Sequence, residues 1–387
     1  MMIPKIISVF KRLDYKVAKR ARKLPFLQKV DGWLFTLLEQ MNYAHWLARR
    51  EEGYNSKLGD LVAGKGLTSQ QKKEVRDFWA PYMPKVDYRT HAYILEKTGR
   101  FEPQTFPAGF YYCHVDKFFN DWDMALQMDN KCLYPKIFKG IPLPHSLCFR
   151  MNRLWYDGEY NPVSEQDAIR LMQAEKECFI KVARDSYCGK GVVYVNIAER
   201  GSTRELQEIL HEHDADIVIQ RGLAQSEFER KLNPSSVNTL RVLSLLQRNG
   251  EVKIYSRVQR MGAGGSKVDN LFHGGATVGV KPDGRFNAVG YNLAGNTLEG
   301  HPTTHTRFDG LVLPSLDKAE ALVRKAHHCI PYFRLCSWDV AFDEHNEPVL
   351  IEANMKHGGL TLHILNNGPL FGDDLPLILE EVFGKKQ

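Results

Sequence analysis

Nowhere in this 387-residue sequence do about eighteen apolar residues run together, so an ordinary membrane-spanning helix is not expected. The seven cysteines are odd in number and never spaced Cys-x-x-Cys, which argues against both a disulfide framework and a zinc ribbon. They read as reduced thiols, with Cys188 alone inside a motif of interest. The start of the chain lacks the apolar stretch and small-residue cleavage pattern of a secretory signal, and a cytoplasmic location is expected. Internal repeats, low-complexity tracts and a nucleophilic Ser/His/Asp arrangement are also missing. The histidines have no metal-cluster spacing: His211 and His213 of "LHEHD" read as solvated, while His273, His357 and His363 fall in or beside the segments that carry chemistry.

What is present reads as an ordinary soluble globular composition, 43% hydrophobic and 25% charged, on a chain long enough for two or three lobes. The net charge of +6 is unevenly spread, since residues 1–50 hold eleven Lys and Arg against three Asp and Glu. That basic, partly apolar opening has helical spacing, with Pro25 as a break. It suits an amphipathic helix on an anionic membrane surface, and equally a helix packed on the protein's own body with a basic outer face. RNA contact is the weaker reading, and no nucleic-acid partner is expected.

The segment "GDLVAGKG" imitates a phosphate-binding loop through Gly59, Gly64 and Lys65, but Gly66 stands where a Ser or Thr should hold magnesium and no strand precedes it. It reads as a decoy, followed by a helix capped near Thr68 or Ser69. From Tyr111 to Arg150 the chain is aromatic and irregular, and a second helix starts at Ser164 with Gln166 or Asp167 as its capping partner. Short strands then dominate: "CFIKVA", "VVYVNI", "DIVIQRG", "TLRVLSLL", "EVKIYSRV" and a C-terminal hairpin, with one helix near "STRELQEILHEHD". This is an α+β pattern built on antiparallel sheets.

The hairpin "SWDVAFDEHNEPVLIEAN" alternates Trp338, Val340, Phe342 with Val349, Ile351, Ala353 around a polar turn. A turn centred between His345 and Asn346 pairs Val340 with Ile351, Phe342 with Val349 and Asp339 with Glu352. Asn354 returns to the face of Glu352, so three hard oxygen donors converge, a set suited to magnesium held against nucleotide phosphates. A solvated hairpin with two surface acids is the bland alternative. Asn249-Gly250 marks a second hairpin, in which Thr239 opposes Arg260 and Arg241 opposes Val258. Arg241 and Arg260 then share one face, where planar guanidiniums bind oxyanions bidentately, unless that face is merely solvated. Lys181 lies amid Phe179, Ile180 and Val182, either pointing to solvent at a strand edge or buried against an anion. Between two strands, "RDSYCGKG" frees the backbone at Gly189 and Gly191 to wrap an anion, with Lys190 adding charge, or else makes a plain hairpin turn.

Taken in order, Lys181, the Ser186–Gly191 loop, "IVIQRGL", Asn238 and Arg241 of "NTLRV", and the trio Asp339, Glu352 and Asn354 resemble an ATP-grasp enzyme. More narrowly, "SSVNTLRVLSL", "RVQRMGAGGSKVDNLFHGGATVGV" and "DVAFDEHNEPVLIEANMKHG" resemble the sugar-transfer-associated ATP-grasp proteins of bacterial surface-polysaccharide clusters, from about Asp129 onward. The resemblance implies an α+β ATP-grasp fold, two lobes with antiparallel sheets clasping ATP, behind a helical, basic N-terminal extension. Residues 1–128 would be that helical region, 129–219 the first lobe with a lid loop at 183–191, and 220–387 the lobe carrying the phosphate and magnesium site.

It further implies ATP and Mg2+ as cofactors. Lys181, Ser186, Gly189, Lys190, Gly191, Gln220, Arg221, Gly222, Leu223 and Asn238 would bind the nucleotide, and Asp339, Glu352 and Asn354 the metal. Arg241, Arg260 and Lys190 would act on the transferring phosphate, while Asn270, Gly274, Gly275 and His357 would face the substrate. Tyr187 and Cys188 depart from a more glycine-rich loop, and "MDNK" at Met128–Lys131 only approximates the Asp-Lys pair of relatives. The implied activity is an ATP-dependent carboxylate–amine ligase using small-molecule, sugar-linked substrates for surface polysaccharide; the basic composition of residues 1–50, not the resemblance, adds peripheral contact at the inner face of the membrane as an expectation. A kinase on the same fold, or a non-catalytic nucleotide-responsive protein, are the alternatives.

Overall fold

In a computed structural model, the described residues are 25–64, 66–184, 191–212, 214–265, 267 and 274–384. Helix α1 (Pro25–Gly59) opens at the proline that sequence reading marks as a break, a position where a missing N–H costs nothing. Helix α2 (Ser69–Trp79) starts at a capping box in which Thr68 and Gln71 satisfy each other's backbone N–H groups, while Lys65 of the "GKG" run lies outside the described residues. Helix α3 is Arg89–Thr98. Beyond it the stretch expected to be irregular contains a π-helical turn, Tyr111–Asp116, short helical pieces and the first strand.

The first sheet has six strands in the order β3-β2-β1-β6-β4-β5. They are β1 (Ser146–Met151), β2 (Leu154–Asp157), β3 (Pro162–Val163), β4 (Glu177–Val182), β5 (Val192–Asn196) and β6 (Ile217–Arg221), paired antiparallel throughout. Helices α4 (Glu165–Gln173) and α5 (Thr203–His211) start at boxes of Ser164 with Asp167 and Ser202 with Glu205. Ile169, Met172, Leu206 and Ile209 pack on Cys148, Cys178, Ile180 and Ile219 of the sheet. Strand alternation turns Lys181 and Gln220 to the opposite face.

The second sheet has seven strands, β11-β10-β9-β8-β7-β12-β13, again antiparallel. Its strands are β7 (Thr239–Leu246), β8 (Val252–Met261), β9 (Ala276–Val280), β10 (Phe286–Asn292), β11 (Thr297–Leu298), β12 (Leu335–Phe342) and β13 (Pro348–Asn354). Leu240, Val242, Trp338 and Val340 bury one face with Ala319, Val323 and Ala326 of helix α6 (Leu316–His327), and each such fully buried large side chain contributes roughly 2 kcal/mol. On the other face, Leu243, Leu245 and Leu335 pack with Trp79, Tyr93, Phe106 and Tyr111 of the N-terminal region and with helices α7 (Leu360–Asn367) and α8 (Leu375–Phe383).

The two hairpins keep the register around their charged residues. Thr239 opposes Arg260, and Arg241 opposes Val258. Asp339 opposes Glu352, but a bulge follows immediately, so Val340 faces Leu350 and Phe342 faces Pro348. The expected pairs Val340 with Ile351 and Phe342 with Val349 are therefore corrected by one residue. Ile351 is the extra residue of the bulge, which alternation alone does not reveal.

Candidate functional site

Four charged side chains stand in a row across adjacent strands of the second sheet: Arg260 on β8, Arg241 on β7, Asp339 on β12 and Glu352 on β13. Asp339 is 3% exposed, and Arg241 grips it with Nε on Oδ1 at 2.6 Å and Nη2 on Oδ2 at 2.5 Å. Arg260 Nη1 adds a third contact to Oδ2 at 2.8 Å. Burial alone would raise the Asp339 pKa, but the two guanidiniums outweigh it and hold it at about 2. Glu352 accepts from Lys131 Nζ at 2.8 Å, and that contact outweighs burial to keep the Lys131 pKa raised.

Asn354 lies opposite Ser337, donating to its carbonyl at 3.1 Å. Ser337 leads to a buried relay, its Oγ 3.2 Å from His363 Nε2, with His363 Nδ1 2.8 Å from Ser256 Oγ. Burial, and then the neighbouring Arg241, pushes the His363 pKa down to about 3, so a neutral ring sits beneath the arginine pair. The chain turns through Gly359, whose φ of 87° favours glycine, beside Arg241 Nη1.

A cleft between the sheets takes Lys181, Gln220 and Ser146 from one wall, Ile351 from the other, and Lys131 and Tyr134 from the segment joining them. Burial, and then the positive charge of Lys131, lowers the Lys181 pKa to about 8, partly offset by Glu352. Lys181 is half-buried at the cleft wall. Gln220 lies 3.5 Å from Ser146 Oγ, and Gly222 follows with its N–H on the Glu177 carbonyl. Arg221 instead turns outward to a two-point pair with Glu175 at 2.7 and 2.8 Å, and Leu223 is half-buried.

Asn238 is not brought to this row. It is fully buried on the opposite side of β7, where its amide donates to the Glu229 carbonyl at 2.7 Å, because strand alternation puts it with Leu240 and Val242 and away from Arg241. Gly191, with φ 78°, closes against Val182, which a Cβ would approach to 2.9 Å. Ser186, Gly189, Lys190 and Asn270 lie outside the described residues. Gly274 (φ 87°) and Gly275 lead into β9, whose Thr277 pairs with Arg260.

His357 is drawn into a cluster with no sequence signal, made with a helix some three hundred residues away. Its Nε2 is 2.8 Å from the Tyr54 hydroxyl of α1, and its ring is 4.7 Å from Trp122 and 5.7 Å from Tyr112. Its own φ of 55° is a backbone conformation that a non-glycine residue rarely adopts. Burial, then Arg50, Lys356 and Lys57, lowers its pKa to about 4. Asp116 accepts from the Trp122 indole at 2.7 Å and the His357 N–H at 3.1 Å, yet burial pushes its pKa up to about 7. Tyr112, on the π-helical turn, accepts from the Leu360 N–H at 2.8 Å. Lys131, Asp116, Tyr112 and Tyr54 are the site residues sequence reasoning leaves out; only Lys131 carried a hint, in "MDNK".

Among the described residues no three His, Cys, Asp or Glu side chains form a metal cage by themselves. Two carboxylates and an amide on adjoining strands are nonetheless the oxygen donors that Mg2+ takes when phosphates and water complete its shell, so the donor set fits that ion.

Residues 114–375 match the family described as sugar-transfer associated ATP-grasp, fifteen residues further toward the N-terminus than the resemblance read from sequence. No curated protein matches the sequence. Among solved structures, an N5-carboxyaminoimidazole ribonucleotide synthetase in complex with ADP is 11% identical over 59% of this chain and 45% of its own, with a TM-score of 0.37. D-alanyl-alanine synthetase A from Vibrio cholerae is 13% identical over 66% and 65%, with a TM-score of 0.38. The biotin carboxylase domain of the Hydrogenobacter thermophilus 2-oxoglutarate carboxylase, in complex with MgADP, ADP and bicarbonate, is 13% identical over 70% and 48%, with a TM-score of 0.42. The chain thus spans about half the length of several of these structures.

Proposed function

We propose that this chain, which belongs to the sugar-transfer associated ATP-grasp family, is an ATP-dependent carboxylate–amine ligase that works through an acyl phosphate in the assembly of a surface polysaccharide. The observation that carries the reading is the row Arg260, Arg241, Asp339, Glu352 on one sheet face, beside a cleft walled by Lys181 and Lys131. The family match supports nucleotide-dependent ligase chemistry in general; the acid, the amine and the polysaccharide role belong to the proposal.

Lys181 would meet the nucleotide's phosphates, and Gln220 to Leu223 would edge the base, with the Arg221 side chain already committed to Glu175. Ser186, Gly189, Lys190 and Gly191 would form the lid. Asp339, Glu352 and Asn354 would hold a magnesium ion, whose chemistry there is to neutralise phosphate oxygens. An oxygen of the acid then attacks the γ-phosphorus as the bond to ADP breaks, while Arg241 and Arg260 present their guanidinium N–H groups to the transferring group. The amine next attacks the acyl carbon, phosphate leaves with the bonding electrons, and the amine gives up a proton. Gly274, Gly275, Asn270 and His357 would line the substrate end. No side-chain nucleophile is needed, because positioning and charge neutralisation supply the barrier reduction.

An ADP-release screen that pairs candidate acids with candidate amines tests the reading. Release that requires both partners and is lost in Glu352→Gln supports it. A stable phosphorylated product with no need for an amine would identify a kinase, and ATP binding without turnover on any pair would leave a nucleotide-responsive binding protein.

A further inference from the structure

Helix α1 leaves the protein body with large apolar side chains in water. Leu37 is 36% exposed, Met41 52%, Tyr43 47% and Trp46 37%, and burial among the described side chains of α1 begins only at its C-terminal end, at Asn55 and Leu58. At the root of this arm, cations and rings are stacked together. Lys117 Nζ lies 4.2 Å from the Tyr43 ring, 5.3 Å from Trp46 and 5.8 Å from Trp122. The Arg50 guanidinium lies 5.0 Å from Trp46 and 5.2 Å from Trp122, Tyr43 stacks on Trp46 at 5.8 Å, and Phe118 beside Lys117 is 45% exposed.

Rings with one apolar face and one wet edge, flanked by Lys and Arg, are the side chains that settle at the headgroup layer of a bilayer. We infer that the Tyr43, Trp46, Arg50, Lys117 and Trp122 array is an anchor for an anionic membrane surface, and that it sets the substrate end of the site at the headgroup layer. Charge decides the occupant. Lys117 and Arg50 of the array, with the exposed Arg49 beside them, would face their own kind in a second copy docked here, whereas an anionic leaflet complements them. No described helix is long and apolar enough to cross the membrane.

Trp122 belongs to both clusters: its ring faces the Arg50 and Lys117 cations and stands 4.7 Å from His357, three residues beyond Asn354. A bilayer at the array is thus one ring away from the residue assigned to the substrate. Resting on the ligase reading, this makes the acceptor a molecule carried on a membrane lipid rather than one free in solution.

The test is co-sedimentation of the full chain with phosphatidylcholine vesicles containing about one third phosphatidylglycerol, against phosphatidylcholine alone. Binding to the anionic vesicles only, weakened about tenfold in Trp46→Ala/Lys117→Glu with an unchanged thermal melt, supports the anchor. Equal binding of that variant, or no binding of the intact protein, overturns it, as does a self-association in solution that the variant abolishes. Vesicles with brominated acyl chains place the substrate end: Trp122→Phe should lower the quenching of tryptophan emission, and unchanged quenching overturns that placement. ADP release that requires both an acid and an amine, measured with soluble substrates and no vesicles, reads the ligase proposal separately, so the two can fail independently.

Discussion

Arg241 and Asp339 stand directly opposite each other on neighbouring strands, and the guanidinium fork closes on both carboxylate oxygens, at 2.6 and 2.5 Å. The pair is nearly buried, with side chains 14% and 4% exposed, and Arg260 shares the same acid. Asp339→Asn would leave two guanidiniums facing a neutral amide, an uncompensated charge that costs about 3 kcal/mol. Urea unfolding at neutral pH should show that loss, and a variant as stable as the parent would mean the arginines find another partner.

Glu352→Gln removes the proposed magnesium donor and the charged partner of Lys131 while keeping the shape of the hairpin. Turnover of ATP should fall at least about a hundredfold, and extra magnesium should not restore it. Kinetics across a magnesium titration check this, with circular dichroism to show that the fold is kept.

Lys181 has its pKa lowered to about 8 by burial and by Lys131, so it loses its charge as pH rises past that value. The kcat/KM for ATP, which reports the free enzyme, should therefore drop with a break near pH 8. Lys181→Arg stays charged and should show no break there; a break that survives belongs to another group.

Glu229 is 1% exposed, accepts from Gln259 at 2.9 Å, and has its pKa raised to about 7 by burial. Between its ordinary value of 4.5 and about 7 the folded state holds the proton more tightly than the unfolded one, so its contribution is full at low pH and is lost as pH rises through about 7. Asp116 acts in the same direction, whereas Asp339, held at about 2, contributes above 3.8 and loses that contribution as pH falls through about 2. Unfolding free energies measured from pH 5 to 8 should fall with pH by up to about 1 kcal/mol per unit for this group, and Glu229→Gln should flatten that part of the slope.

The legible parts of the site are those built by neighbours in sequence. Asn249-Gly250 and the polar turn before Pro348 set two hairpins, and period-two alternation then puts Arg241 and Arg260 on one face and Asp339 opposite Glu352. Capping at Thr68 and Ser164 is equally local. The strands β1, β2, β9 and β10 went unread, since Phe149, Trp155 and Val278 are held by sheet neighbours more than by their own pattern.

From sequence alone came the α+β class, the two charged hairpin faces and the family resemblance, because turn chemistry and alternation act over a few residues. Tertiary structure alone decided that a bulge frees Ile351 for the cleft, that Lys131 answers Glu352, and that Tyr54 meets His357. Those outcomes depend on which surfaces close over one another, and burial couples residues that sequence distance leaves independent.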